Sequence, residues 1–268
     1  MLINNNVKGY DIEISNLKFN PPKGNKKGVL RDISFKIQSG EFVSFIGRNG
    51  HGKSSIFKAI SGELKYLEGT VKVGNCIIDE PIHKLCGGVG IVHQYVQDDL
   101  IPELSILRNI QIRQLNCNDK KIRRETNADG WKPILNAKLS QFFRSEDFVP
   151  TNETLVDDLS GGQRQLLNVL ISIELEHSSV IGCKLLLLDE HLTSLDKVVQ
   201  NKVMQFIEER TQKTDDKPTI LMITHDFEYA LKYSDSIIVI YEGSVKEIIK
   251  RPTDKDEKWN MQYLNSVL

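Results

Sequence analysis

The sequence predicts an α/β fold built around a mostly parallel sheet, and three observations support this prediction. After residue 160, short apolar segments such as "KLLLLD" and "TILMI" alternate with helical segments, which is the pattern of parallel βαβ units with right-handed crossovers. A glycine-rich turn, "GRNGHGKSS", stands between a strand-like and a helix-like segment. Ahead of this turn, alternating runs separated by Pro, Gly and Asn predict additional short strands.

The first third of the chain is predicted to be rich in short strands, some of which form an N-terminal antiparallel β subdomain. Its strand candidates are alternating or β-branched runs bounded by turn residues, namely 12–18, 33–37 and 41–46. The segment 70–79, "TVKVGNCIID", predicts a hairpin around Gly74-Asn75. The segment 88–94, "GVGIVHQ", has the apolar character of a buried strand.

The middle of the chain predicts an inserted α-helical lobe, because the pattern from Ser105 to Arg144 is helical, irregular and polar. Elements then alternate in the order helix 162–175, strand 184–189, helix 196–213, strand 219–223, helix 226–233 and strand 236–243. We expect one domain, with a core of about 1–94 and 163–250, a helical lobe of about 95–162 and a short tail, 251–268, with no assigned function.

Composition excludes several classes of protein. Lys and Arg number 35 against 36 Asp and Glu, for a formal net charge of −1, which disfavours a nucleic-acid partner because such domains usually carry a basic excess. No apolar run approaches the roughly 18 residues of a membrane span. The start, "MLINNNVKGY", lacks the basic and apolar regions of a signal peptide. We expect a cytosolic protein that cannot cross a membrane alone.

The turn "GRNGHGKSS" matches the pattern G-x-x-x-x-G-K-[ST] between a strand and a helix, which predicts a phosphate loop and a P-loop NTPase (RecA-like) core. Gly47, Gly50 and Gly52 let backbone N–H groups surround phosphates at the helix N-terminus. Lys53 is predicted to reach the β and γ oxygens of ATP, and Ser54 to offer a hydroxyl to Mg²⁺. The alternative is a glycine-rich turn without a ligand. The other loop residues predicted to contact nucleotide are Arg48, Asn49, His51 and Ser55.

Two carboxylates follow the apolar strand "KLLLLDE". Asp189, at the strand end, is predicted to hold Mg²⁺ or its water, and Glu190 to polarise a water for attack on the γ-phosphorus. The alternative is a buried strand that ends in solvated acids. Together with the phosphate loop, these carboxylates fit kinases, GTPases, helicases and many ATPases.

The segment "LSGGQ", 159–163, distinguishes among these classes. With its two glycines at the start of a helix it makes the chain resemble the ATP-binding-cassette (ABC) ATPases, whose signature motif it matches without a substitution. A simpler interpretation is a capping box between Ser160 and Gln163 ahead of a buried helix. That interpretation does not require Gly161 and Gly162, which weaken a helix. The resemblance implies that these four residues contact ATP held by a second cassette.

The resemblance covers about residues 12 to 250 and implies further roles. Phe19 matches the aromatic residue that stacks on adenine. Gln94 matches the glutamine that contacts Mg²⁺ or the attacking water, and His225 the histidine that contacts the γ-phosphate. Asp196 matches the aspartate of the loop that crosses the dimer interface. The implied catalytic residues are Lys53, Gln94, Glu190 and His225, and the implied Mg²⁺ ligands are Ser54, Gln94 and Asp189.

The resemblance also implies a function: an ATP-hydrolysing subunit, peripheral on the cytoplasmic side of the cell membrane. Its partners would be a second copy or a paralogous cassette, integral membrane permease subunits and, through them, an extracytoplasmic solute-binding protein. Where many relatives have "DEPTSALD", this chain has "DEHLTSLD". His191 after the glutamate looks like uptake cassettes for amino-acid-like solutes, and raises the question of how it affects Glu190. The alternatives are a non-transport cassette, such as an iron-sulfur-assembly ATPase, and a nucleotide-gated module without hydrolysis.

Overall fold

Two sheets and a set of surrounding helices form the described part of the molecule. The computed structural model describes residues 9–21, 29–66, 68–115, 131–143, 149–175, 183–193, 195–211, 217–252 and 258–268. Within these residues, no helix is long and apolar enough to cross a bilayer.

The smaller sheet is the expected antiparallel subdomain. It consists of β1 (Ile12–Phe19), β2 (Leu30–Ile37), β4 (Glu68–Val73) and β5 (Cys76–Ile77), in the order β2-β1-β4-β5. The predicted hairpin is confirmed, since β4 and β5 pair on either side of residues 74–75. Strand β2 begins at Leu30 rather than at the expected residue 33, because it continues its pairing with β1 as far as Phe19.

The larger sheet carries the parallel core. Its six strands are β3 (Phe42–Ile46), β6 (Val89–Val92), β7 (Leu185–Asp189), β8 (Thr219–Ile223), β9 (Ser236–Tyr241) and β10 (Ser244–Lys250), in the order β10-β9-β3-β8-β7-β6. All neighbours are parallel except β10 and β9. The predicted fold class, a mostly parallel core with an antiparallel N-terminal subdomain and added helices, is confirmed.

Helices cover the sheets and form the lobe. Those of the first half are α1 (Lys53–Ile60), α2 (Ile82–Leu85), α3 (Ile106–Leu115) and α4 (Trp131–Phe142). The remaining helices are α5 (Gly161–Leu170), α6 (Lys197–Thr211), α7 (Phe227–Tyr233) and α8 (Met261–Val267). One apolar cluster lies between the two sheets and under α1, and a second joins the lobe to α5 and α6.

The predicted helix 162–175 does not keep one geometry. It is α-helical as α5 and becomes a π-helical turn over Ile171–Leu175. Gly90 of β6 lies against this turn, and a Cβ there would be 2.4 Å from the carbonyl oxygen of Ser172. The strand and the turn are therefore in direct backbone contact.

The end of the tail, residues 258–268, is packed against the core. Asn260 caps α8 by accepting a hydrogen bond from the Tyr263 N–H, 2.8 Å away. Leu264 is fully buried in a third apolar cluster with Ile46, Val239 and Ile249. Strand β10 was not expected as a separate element. It follows a turn in which Glu242 and Gly243 both have positive φ, as the two central residues of a type I′ hairpin turn must.

Candidate nucleotide-binding and catalytic site

The predicted site residues meet at one edge of the parallel sheet. The phosphate loop follows β3, Asp189 ends β7, His225 follows β8 and Gln94 follows β6. These strands run parallel, so their carboxyl ends meet at the same edge, where open α/β sheets bind ligands. Residues separated by up to 178 positions in the sequence therefore share one site.

The phosphate loop has the backbone shape that its glycines permit. Gly52 has a φ of 104°, and a Cβ at Gly47 would lie 2.3 Å from the carbonyl oxygen of Ile240. Both positions need glycine, the first for its conformation and the second for its close approach to β9. The tips of the loop, at Arg48, Asn49 and Gly50, are exposed, so the loop is open to a ligand.

Lys53 lies across the loop that it follows. Its Nζ donates to the carbonyl oxygens of Gly47, at 2.7 Å, and Arg48, at 3.2 Å. Burial lowers the pKa of the ammonium, against the opposing effect of Glu190 and Asp189. An anion beside Nζ would relieve this cost, which suits a phosphate ligand.

Asp189 and Ser54 form an oxygen pair that suits Mg²⁺. The Ser54 hydroxyl donates to Asp189 Oδ1 at 3.4 Å. Burial, and the neighbouring charge of Glu190, raise the pKa of Asp189 to about 6. A carboxylate destabilised in this way gains from a cation, and Mg²⁺ is usually held by one or two protein oxygens together with phosphate and water. The donor set therefore fits the ion.

Both carboxylate oxygens of Glu190 are held by hydrogen bonds. His225 Nε2 lies 2.9 Å from Oε1, and Gln94 Nε2 donates to Oε2 at 3.1 Å. The hydrogen bond with His225 lowers the pKa of Glu190, so the group is ionised at neutral pH. Glu190 also has a φ of 44°, a conformation that is costly for a residue with a side chain and is concentrated at functional sites. Three predicted catalytic residues are thus in direct contact.

His191, beside this glutamate, does not contact it by a hydrogen bond in the described structure. The imidazole is 2% exposed, and neither ring nitrogen has a hydrogen-bond partner. Burial lowers its pKa to about 3, so the ring is neutral. His191 is joined to the site through its peptide bond to Glu190.

The signature residues lie at the exposed start of α5. Ser160 and Gln163 form a complete capping box, with hydrogen bonds of 3.2 and 3.0 Å. Gly161 is exposed and nothing lies within 4 Å of where its Cβ would be, whereas a Cβ at Gly162 would touch Val199 at 3.2 Å. Packing explains the second glycine and leaves the first without a role in the isolated chain.

The remaining predicted residues have structural contacts of their own. Phe19 is half-buried against the core between the sheets. Asp196 caps α6, where its Oδ1 accepts from the N–H groups of Val198 and Val199. His51 meets Tyr241 edge-on, with ring centroids 5.1 Å apart. Ser55 is half-buried in the first turn of α1. The nucleotide contacts expected of these four residues therefore stay predictions.

A neighbouring set of polar residues, buried to different extents, was not expected from the sequence. His93 Nδ1 lies 2.6 Å from Asp99 Oδ1, and Glu63 is 3.6 Å from its other ring nitrogen. The hydrogen bond to Asp99 and the ion-pair contact with Glu63 raise the pKa of His93 to about 10. Asn168 and Arg113 extend this set into the lobe. The available signal was Asn168, a polar residue inside the apolar helical run "LLNVLISIEL".

Comparison with known proteins places these features in a family. Residues 30–193 match the family model described as ABC transporter. The chain is 31% identical over 255 residues to a tyrosine transport ATP-binding protein of Clostridioides difficile, covering 92% of this chain and 94% of that protein. It is 32% identical to the spermidine/putrescine import ATP-binding protein PotA of Mycoplasma mycoides, covering 82% of this chain but 56% of that protein.

Solved structures show the same fold. A nucleotide-free ATP-binding cassette from an ABC transporter superposes with a TM-score of 0.69 at 18% identity, covering 96% of this chain and 94% of the other. A dimeric post-hydrolysis state of the cassette MJ0796, with ADP and Pi bound, superposes with a TM-score of 0.68 at 23% identity, covering 90% of this chain and 99% of the other.

Proposed function

Because the chain belongs to the ABC transporter ATPase family, whose members bind and hydrolyse ATP, we propose that it closes with a second cassette around two ATP molecules and drives a separate membrane permease. The solute moves inward in this proposal. The protein is peripheral, on the cytoplasmic side of the membrane.

The geometry around Glu190 is the observation that carries the proposal. A general base needs an ionised group in a fixed orientation, and the contacts to His225 and Gln94 supply both. Lys53 and Ser54 lie at the same edge of the sheet, so bound phosphates and the base would face each other. These contacts favour hydrolysis over a module that only binds nucleotide.

The exposed signature supports a shared site. The start of α5 presents the positive end of a helix dipole, which favours an anion. Gly161 keeps this end accessible to a bulky ligand. The phosphate loop of the same chain already has its own phosphates to bind, so the ligand of the signature would be ATP held by the partner cassette.

Mg²⁺ belongs to the proposed site as a cofactor with ATP. Ser54, Asp189 and Gln94 would hold it, and it would supply charge compensation for the phosphates. The chain's own residues orient the reactants: Lys53 and the loop N–H groups bind phosphate oxygens, while Glu190 accepts a proton from the attacking water.

A permease would dock on the lobe, where apolar side chains are exposed. Tyr95 and Ile101 are 58% and 42% exposed, and Ile112 and Leu155 are exposed as well. The backbone bridge between Ser105 and Leu155 brings the two ends of this region together. Apolar side chains concentrated in one region are typical of an interaction surface.

The solute is proposed to be a small nitrogen-containing organic molecule. The names of the relatives specify tyrosine and spermidine or putrescine, and the "DEHLTSLD" segment points to amino-acid-like solutes. Selection would reside in the permease and in an extracytoplasmic solute-binding protein that delivers the solute to it.

Co-purification tests the transporter role. The tagged chain, extracted from its native membranes in mild detergent, should bring a multi-span permease with it, identified by mass spectrometry. Ile101→Asp should weaken the recovery of the permease. Ile77→Asp, at a 60% exposed position in β5 of the smaller sheet, should not. Recovery of a soluble assembly partner in place of a permease would overturn the transporter role.

Dimerisation is tested separately by size-exclusion chromatography with MgATP. Glu190→Gln should elute as a dimer because it retains ATP, and Glu190→Gln combined with Ser160→Arg should elute as a monomer. If Glu190→Gln alone stays monomeric at saturating MgATP, the shared site is contradicted.

A further inference from the structure

A partly buried chain of hydrogen bonds crosses the junction between the core and the lobe. It consists of His93, Asp99, Arg113, Asn168 and Ser172, which we term the junction network. These residues come from five segments: the residue after β6, the end of the 3-10 turn Val96–Asp98, α3, α5 and the π-helical turn. None of them has a role in nucleotide binding as described above.

Asp99 is the centre of the network. Its Oδ1 lies 2.6 Å from His93 Nδ1, while Oδ2 accepts from the His93 backbone N–H at 2.8 Å and from Asn168 Nδ2 at 2.6 Å. Its side chain is 5% exposed. A buried carboxylate is tolerated only with such a complete set of donors, so the positions of His93 and Asn168 are fixed together.

Asn168 connects Asp99 to Arg113 in the lobe. Its amide oxygen accepts from Arg113 Nη1 at 2.7 Å, and the residue is fully buried. Arg113 Nη2 also donates to the carbonyl oxygen of Ile91, at 3.2 Å, and to Ser172 Oγ, at 2.9 Å. The amide of Asn168 therefore donates on one side and accepts on the other, and it cannot reverse without losing both contacts.

The two ends of the network reach the two halves of the proposed ATP site. Gln94, which holds Glu190, is the next residue after His93. Asn168 lies two turns along the helix that begins with the signature. The Glu63 contact ties His93 to the residues that follow α1, the helix of the phosphate loop.

We propose that the junction network is a positioning device that fixes the placement of Gln94 against Glu190 to the placement of the signature helix. This inference rests on the proposed roles of Gln94 and of the signature. Because the contacts of Asp99 and Asn168 are all made in one arrangement, a shift of the helix must break them or move Gln94. Displacements of about 1 Å at such a group are sufficient to change a rate severalfold to a hundredfold.

The test is an exchange of two side chains, measured by steady-state ATP hydrolysis. Asp99→Asn leaves two amides facing each other, and Asn168→Asp places two carboxylates together, so each should lower kcat about tenfold. The double exchange puts the carboxylate beside Arg113 and the amide beside His93, and should restore kcat to within about threefold of wild type. The KM for ATP should change less than about twofold throughout, since the phosphate loop is not altered.

Gln94→Ala provides the reading that separates positioning from general stability. If the network acts through Gln94, Asn168→Asp should lower kcat by less than about twofold in the Gln94→Ala background. An equal loss of kcat from Asn168→Asp in both backgrounds would overturn the proposal. It would also be overturned if the double exchange variant unfolds cooperatively but does not regain kcat. Should the single variants not fold, Ser172→Ala, which removes one contact of Arg113, serves in the same two backgrounds.

The wild type distinguishes this proposal from the function on which it rests. A wild type that hydrolyses ATP, with a kcat lowered by Gln94→Ala, leaves the proposed function standing whatever the exchange shows. A wild type whose kcat is insensitive to Gln94→Ala would overturn the role of Gln94 and the positioning proposal with it.

Discussion

The catalytic cluster and the junction network are both built from partly buried polar groups, but only in the second do contacts within the protein offset the cost of burial. In the catalytic cluster, burial lowers the pKa of Lys53 and raises that of Asp189 to about 6, so each charge is held at a cost. In the network, burial would raise the pKa of Asp99, but the hydrogen bond from His93 and the charge of Arg113 keep it below its usual value. Phosphate and a cation would offset the cost in the catalytic cluster, whereas the contacts of Asp99 offset it in the network.

Glu190→Gln should produce the largest change, because it removes the proton acceptor and retains the shape of the side chain. We expect kcat for ATP hydrolysis to fall by about a hundredfold or more. Release of phosphate measured under saturating MgATP checks this. Glu228→Gln, an exposed carboxylate near the same cleft, is the matched control and should retain wild-type kcat.

Lys53→Ala should separate function from stability. Loss of the ammonium is expected to weaken ATP binding by about a hundredfold, since it contacts the phosphates directly in the proposed site. Stability of the nucleotide-free protein should be retained or increased, because a buried charge is removed. Calorimetric titration with ATP and thermal unfolding without it test the two halves. A fall in Tm of the nucleotide-free variant would show that Lys53 serves the loop more than the ligand.

The sequence was sufficient to predict the catalytic residues that lie at the ends of strands. Asp189, His225 and Gln94 each follow an apolar strand, and parallel order brings those ends together. It was insufficient for the network, because a hydrogen bond between Asp99 and Asn168 depends on the packing of the lobe and not on any local pattern. The π-helical turn was missed for the same reason: Gly90 and Ser172 meet only after β6 and α5 are packed.

The tail shows a different limit. Its helix α8 has only seven residues, too few for a clear apolar period, although Asn260 supplied a capping signal. The hairpin between β9 and β10 also had a signal, since "YEGS" contains the glycine that such turns favour. Signals for β10 and α8 were therefore present in the sequence, but they were too weak to predict either element.

The pH dependence of stability sharpens the comparison. The hydrogen bond to Asp99 and the ion-pair contact with Glu63 raise the pKa of His93 from 6.5 to about 10. The resulting stabilisation is complete below about pH 6.5 and is lost as the pH rises through about 10. Wild type should therefore lose its advantage in Tm over Asp99→Asn by on the order of 5 °C between pH 7 and pH 10. Thermal unfolding at both pH values measures it, and a constant difference would contradict the ion pair.

The smallest effect is expected at His191, which lies next to the catalytic glutamate without belonging to either polar group. Its buried imidazole has no hydrogen-bond partner, and such a group costs about 1 kcal/mol or more. His191→Leu should therefore raise the free energy of unfolding by about 1 kcal/mol, measured by urea denaturation, with kcat unchanged. Leu192→Ala, at an equally buried apolar neighbour, should instead lower it by about 2 kcal/mol or more. A loss of kcat in His191→Leu would mean that the ring orients Glu190 through packing alone, and the catalytic cluster would then extend one residue into the core.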